Sequence, residues 1–261
     1  YTALLRDQQC LVRMKTFFIG MVTGWVLTLN ALAGQVSVAV AANFNAPMQR
    51  IAQAFEQETG HTVILSVGST GNFYAEIRHG APFEILLAAD DETPLRLEKE
   101  GLGVAGSRLT YAIGKLVLWS RQPGLVDDQG EVLRSGQFQR LAIANPKLAP
   151  YGAAALETLN QLGVLKNLQP KFVQGENIAQ TYQFVASGNA ALGFVALSQV
   201  LVEGKPVPGS AWVVPGHLHT PIQQDAIVLQ KGQGQLAAQA LMRFLRSDKA
   251  RAIIRSFGYE I

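Results

Sequence analysis

Residues Thr110–Ser120 read TYAIGKLVLWS, a long β-rich run with Gly114-Lys115 near its centre. Ordinary strands run to about five or six residues, so this one is long enough to leave one α/β lobe and enter another. A Pro/Gly/Asp loop at Gln122–Gly130 follows it. On its N-terminal side, β-rich runs alternate with amphipathic stretches, the pattern of an α/β fold. Val36–Ala41 (VSVAVA), Val63–Val67 and Glu84–Ala89 (EILLAA) read as strands. Helices at Ala46–Thr59, Asn72–His79 and Thr93–Glu100 are each stopped by a glycine, Gly60, Gly80 and Gly101.

On the C-terminal side the alternation resumes. Strands are predicted at Leu141–Ala144, Lys171–Val173 and Leu192–Val195, and helices at Gly152–Leu162 and Ile178–Ser187. The Pro/Gly-rich stretch Lys205–Pro221 punctuates the chain, and Gln223–Leu229 (QQDAIVL) returns as a strand. Helices at Gly234–Arg246 and Lys249–Phe257 close the pattern. The order is βα units, a crossing, more βα units, a crossing back and terminal helices. We therefore expect two α/β lobes, 34–110 plus 217–261 and 111–216, with the first assembled from both ends of the chain. VAVAAN (38–43) and LAIANP (141–146) each place an Asn just after a strand, a weak hint of lobe pseudo-symmetry.

The 261 residues, 48% hydrophobic and 16% charged, suffice for one large or two small cores and are too weakly charged for a disordered or coiled-coil chain. From Met14 the sequence has a basic start, an apolar run Phe17–Leu29 and the small-x-small ending Ala31-Leu32-Ala33, as in a secretory signal peptide. The run holds Thr23 and Thr28 and is short for a spanning helix, which ranks a membrane anchor second. Residues 1–13 fit no part of that signal. Loss of residues 1–33 removes Arg6, Arg13, Lys15 and Asp7 and lowers the net charge from +3 to +1. No Lys/Arg block remains, so nucleic acid is not an expected partner. Cys10, the only cysteine, would go too, leaving a core without disulfides and no site for lipid attachment.

In open α/β sheets the ligand crevice lies past the carboxyl ends of the strands. Four segments sit there, each opening a helix: Ala42-Asn43-Phe44-Asn45, Gly68-Ser69-Thr70-Gly71, Pro150-Tyr151-Gly152 and Glu176-Asn177-Ile178. Helix N-termini offer unpaired N–H groups and a positive dipole end, which suit an anion. The first-turn segments lack Lys and Arg, whereas phosphate-transfer chemistry calls for such cations or metal carboxylates. Taken singly, each residue has a plainer role. Asn43 or Asn45 suits a helix cap, Ser69-Thr70 an ordinary turn, Tyr151 a surface aromatic and Ile178 the core.

Other motifs fail on context. Gly101-Leu-Gly103-Val-Ala-Gly106 matches a dinucleotide pattern but follows a charged helix, so it reads as a helix stop plus loop. Gly114-Lys115 lacks the first Gly and the Ser/Thr of a phosphate loop. His61, His79, His217 and His219 have no zinc spacing, and His217 and His219 share one side of a short extended segment. Asp90-Asp91-Glu92 suits helix capping. Ser69 has no motif supplying a base, so an enzyme is not expected.

These segments resemble the periplasmic molybdate-binding proteins of bacterial ABC importers. The resemblance spans roughly residues 35–261 and rests on VAVAANF, GHTVILSVGSTG, GAPFEILLAADDETP, YAIGKLVLWS, ANPKLAPYG, GENIAQ, ALGFVAL and FGYEI. It implies a two-lobe, Venus-flytrap-type periplasmic-binding-protein fold with two chain crossovers, no cofactor and no free metal cation. It also implies a monomer that captures molybdate or tungstate for an importer's membrane subunits; a binder of sulfate or phosphate is the alternative. By position, the contacts fall on Asn43 with Ala42 beside it, on Thr70 with Ser69 beside it, and on the backbone at Tyr151 and Ile178. Two departures stand out. Ala196 occupies a position where some members place a tyrosine hydroxyl on the ligand, and Asn43 replaces a common serine, which leaves the preference between molybdate and tungstate open.

Overall fold

The computed structural model describes residues 33–202 and 204–261. The expected signal sequence (apart from residue 33) and Cys10 lie outside them. The chain from 33 onward begins with β1 (Gln35–Ala41), α1 (Asn45–Thr59), β2 (Thr62–Gly68), α2 (Thr70–Arg78), β3 (Ile85–Leu87), α3 (Glu92–Lys99) and β4 (Leu109–Gly114). Then come β5 (Leu116–Ser120), α4 (Val132–Ser135), β6 (Leu141–Ala144), α5 (Pro150–Gln161), α6 (Leu165–Leu168), β7 (Phe172–Gly175), α7 (Ile178–Ala186), β8 (Leu192–Ala196) and α8 (Leu197–Val200). A short ribbon, β9 (Leu201–Val202) with β10 (Lys205–Pro206), precedes β11 (Ser210–Val213), β12 (Ile222–Val228), α9 (Leu236–Phe244) and α10 (Asp248–Ser256).

Two five-stranded sheets result, ordered β2-β1-β3-β12-β4 and β11-β5-β8-β6-β7. Only Lys115 separates β4 of the first from β5 of the second. The TYAIGKLVLWS run is thus the first crossing between lobes, and the passage from β11 to β12 is the second. Each sheet carries helices on both faces, as the alternation of side chains along its strands requires. In β1, Val36, Val38 and Val40 point into a core with Phe44, Met48 and Phe55. Ala39 between them joins Phe73, Leu86 and Leu97 on the other face. In the second sheet Leu116, Leu118, Ile143 and Phe194 face one cluster, and Val117, Trp119, Ala142 and Val195 the other.

Several local expectations need correction. Ser210–Val213, read as part of a punctuating stretch, is the edge strand of the second sheet, paired antiparallel to β5. The third strand spans only Ile85–Leu87 of EILLAA, although Ala88 N–H still donates to Asp225 O at 3.0 Å. The segment holding His217 is a 3-10 turn, Gly216–Leu218, and His219 alone is extended. Helix α2 starts at Thr70, two residues earlier than its pattern suggested, because Ser69 caps it. Gly101 and Gly106 have φ of +73° and +72°, in keeping with a helix stop and loop rather than a dinucleotide site.

Candidate functional site

All six residues singled out in the sequence converge on one small cavity of about 10 Å³. Its walls are Ala41, Ala42, Asn43, Gly68, Ser69, Thr70, Ala89, Ala149, Pro150, Tyr151, Asn177 and Ile178, and none of these carries a charge. The first seven come from the first lobe, at the carboxyl ends of β1 and β2 and just past β3. The other five come from the second lobe, at the starts of α5 and α7. Asn43, Ser69, Thr70, Tyr151 and Ile178 are all buried to within a few per cent.

The donors left for a ligand follow from the first turn of each helix, where no intrahelical acceptor exists. In α2, Gly71 N–H donates to Leu148 O at 2.9 Å and Phe73 N–H to Ser69 O. Asn72 N–H donates to the Ser69 hydroxyl. Thr70 N–H remains. In α5, Pro150 has no N–H, and Gly152 and Ala153 both donate to Ala149 O. Tyr151 N–H remains. In α7, the Asn177 side chain accepts from Ala179 and Gln180, both at 3.0 Å, and Asn177 O accepts from Thr181 N–H. Ile178 N–H remains. Three helices thus each present one N–H at the positive end of a dipole.

The hydroxyls add to this. Thr70 Oγ1 accepts from Ala89 N–H at 3.0 Å, so its proton is available to a ligand. Ser69 Oγ likewise accepts from Asn72 N–H. Ala42 and Asn43 open a 3-10 turn, whose first N–H groups also lack partners within the turn. Such an array stabilises negative charge without any cation.

The Asn43 side chain departs from the expected cap, although the residue lines the cavity. It caps nothing: α1 begins without a side-chain cap. Instead Nδ2 donates to Gln224 Oε1 at 2.8 Å and to the Tyr259 hydroxyl at 3.0 Å. The Tyr111 hydroxyl donates to Gln224 Oε1 at 3.0 Å, and Gln224 Nε2 donates to the Tyr151 hydroxyl at 3.2 Å. Ser198 Oγ donates to Asn43 O at 2.8 Å. This buried network joins the lobes behind the cavity and was missed in the sequence. One signal was present: Gln224 occupies an inward position of QQDAIVL, two residues from Ile222 and two from Ala226, all buried. Burial raises the Tyr111 and Tyr151 hydroxyls well above their ordinary range and lifts Tyr259 to about 12. The network is neutral at physiological pH.

The remaining candidates fall away from the cavity. Asn145 folds back on its own turn, accepting from Lys147 N–H, so it is no counterpart of Asn43. His61 is packed on Phe55 and bonded to Gly34 N–H. Asp90 accepts from Thr93 N–H at 2.8 Å and from its hydroxyl, as expected of a capping carboxylate, and lines a wider groove beside the cavity with Lys147 and Glu157. Its pKa is pushed up to about 6, chiefly by burial, against the opposing Thr93 hydrogen bonds and with smaller contributions from Glu92 and Asp91. Among the described residues no cluster of three or more His, Cys, Asp or Glu is placed to hold a metal ion.

Comparison with known proteins places this architecture. The profile of the bacterial extracellular solute-binding proteins matches residues 36–260. The molybdate-binding protein ModA of Azotobacter vinelandii is 59% identical, over 90% of this chain and 93% of its own length. Its namesake from Rhodobacter capsulatus is 51% identical, over 89% and 91%. Among solved structures, an Azotobacter vinelandii periplasmic molybdate-binding protein superposes with a TM-score of 0.85 at 41% identity, covering 87% of this chain and 99% of that one. A sulfate-binding protein from Mycobacterium tuberculosis shares the fold alone, with a TM-score of 0.72 at 14% identity. The chain belongs to the bacterial extracellular solute-binding proteins, in the branch of the molybdate-binding protein ModA.

Proposed function

We propose that this protein is a non-catalytic periplasmic receptor that encloses molybdate or tungstate between its lobes and delivers it to an ABC importer. One observation carries the reading. Three helices from two lobes leave one N–H each at a buried, uncharged cavity. The roles follow by position. Thr70 supplies its N–H and hydroxyl, Ser69 a second hydroxyl, Tyr151 and Ile178 their N–H groups, and Ala42 and Asn43 the N–H groups of their turn. The lobes are taken as 34–110 plus 217–261 and 111–216. They are drawn together here, since Gly71 N–H reaches Leu148 O and Ser198 Oγ reaches Asn43 O across the cleft. A ligand bonded to both lobes favours that closed form, and its departure frees them to open.

Selection against sulfate rests on size, because both ions are tetrahedral dianions offering the same acceptors. Thermal melting with molybdate, tungstate, sulfate or phosphate tests the reading. Ligand at about 1,000 times its dissociation constant adds roughly 4 kcal/mol to stability, so molybdate and tungstate are expected to raise the melting temperature by several degrees. A shift with sulfate or phosphate alone would overturn the assignment.

A further inference from the structure

Gln224 is fully buried, on the strand that returns from the second lobe to the first. Its amide touches a cavity residue from each lobe, Asn43 and Tyr151. The space it occupies depends on Gly114, where a β-carbon would lie 2.1 Å from the Tyr151 hydroxyl and 2.6 Å from Gln224 Nε2.

A primary amide carries two N–H protons, and both of Asn43's are taken, by Gln224 Oε1 and the Tyr259 hydroxyl. The free polar atom of the side chain is then Oδ1, which only accepts. An oxyanion requires a donor. Asn43 offers one when its amide turns over, exchanging Oδ1 and Nδ2. Gln224 has to turn with it, because otherwise two carbonyl oxygens would face each other at hydrogen-bond distance.

The reversed order keeps a donor at every side-chain amide contact and gives up one bond, from the Tyr259 hydroxyl to Asn43 O. Gln224 Nε2 would donate to Asn43 Oδ1 and to the Tyr111 hydroxyl, and the Tyr151 hydroxyl would donate to Gln224 Oε1. The Tyr259 hydroxyl, whose one proton now goes to Asn43 O at 2.9 Å, would turn it to Asn43 Oδ1, leaving Ser198 as the donor to Asn43 O. It also relieves a shared proton, since the Tyr111 hydroxyl now serves both Ala88 O at 2.8 Å and Gln224 Oε1. Tyrosine hydroxyls exchange donor and acceptor roles freely, so the turn requires no charged state.

We propose that Gln224 is a positioning residue that decides whether Asn43 presents the bound oxyanion with a proton or a lone pair. The proposal rests on the oxyanion reading above. It is tested by titrating tungstate into the unsubstituted protein, Gln224→Met, Asn43→Ala and the double variant, with ligand-free melting curves for each. Gln224→Met is expected to weaken binding about ten-fold, the scale of one hydrogen bond to a charged partner. In the Asn43→Ala background it should add less than about two-fold, because residues acting through one another are not additive. An equal loss in both backgrounds, or unchanged affinity in Gln224→Met with only a lower melting temperature, overturns the proposal. Should a variant fail to fold, the side-chain amide resonances of the unsubstituted protein decide. Those of Asn43 and Gln224 are expected to shift together when tungstate binds, and their staying in place overturns the turn. If the unsubstituted protein binds neither molybdate nor tungstate, the function itself fails; if it binds and Gln224→Met is unaffected, only the role of Gln224 does.

Discussion

Gly71 offers a way to hold the lobes apart without touching any donor of the cavity. It lies in the first turn of α2, and its N–H reaches across the cleft to Leu148 O. A β-carbon at this position would lie 2.9 Å from Leu148 Cα, 3.2 Å from Leu148 O and 3.1 Å from Leu148 Cδ2. Leu148 Cδ2 can rotate away, but the two backbone atoms cannot. Gly71→Ala therefore wedges the closed form, at the cost of an overpacked contact, about 1–3 kcal/mol. The open form has no such contact, and Ala is favoured over Gly inside a helix by roughly 1 kcal/mol. Closure alone is penalised.

Calorimetric titration with tungstate should then show a dissociation constant raised by about five- to 150-fold, the equivalent of that penalty. The ligand-free melting temperature should not fall. The opposite signs separate a closure defect from a folding defect. An unchanged affinity would refute the reasoning, because it would mean that the bound form lacks the Gly71–Leu148 contact.

Three further outcomes are expected. Thr70→Ala removes a hydroxyl that accepts from Ala89 N–H and donates into the cavity, so titration should show binding weakened about ten- to a hundred-fold; equal affinity would remove Thr70 from the ligand's contacts. Gly114→Ala places a methyl against Tyr151 and Gln224, so both melting temperature and tungstate affinity should drop, and retention of both would discount the network. Asp90, with its pKa raised from 3.8 to about 6, holds its proton more tightly folded than unfolded. Folding stability is therefore lost as pH rises from about 4 to about 6, by up to about 3 kcal/mol, and the loss is complete above that window. Asp90→Asn should be more stable than the parent at pH 7 and about equal at pH 4; chemical denaturation showing the same difference at both would rule this out.

The fold was readable because its periods are strong. Val36, Val38 and Val40 alternate cleanly, and glycines such as Gly60, at φ +73°, stop helices where predicted. Ser210–Val213 was hidden because four residues after Pro208-Gly209 are too short for alternation to register, and their strand character comes from pairing with β5. The cavity was readable because helix starts announce themselves in Asn, Ser, Thr and Gly placed after strands. The network behind it was not, because it is built at long range. Asn43 and Tyr259 are separated by 216 positions, and Asn43 and Gln224 by 181. Nothing local in the sequence marks a hydroxyl as the partner of an amide so far along the chain.

On the proposed reading, the division of donors accounts for a doubly charged ligand that is held firmly and still released. Thr70 N–H and its hydroxyl stand on the first lobe, while Tyr151 and Ile178 N–H stand on the second. An arginine on either lobe would keep much of its attraction in the open form, since a full charge acts over a distance comparable to the Debye length, about 8–10 Å in physiological salt. An N–H dipole acts almost wholly at contact, and the helix dipole behind it falls off within a turn. Opening the cleft therefore withdraws the Tyr151 and Ile178 donors at one step, and leaves the ligand on a single lobe with donors little better than water. Affinity resides in closure, so whatever holds the lobes apart, whether an importer or a methyl group at Gly71, discharges the ion.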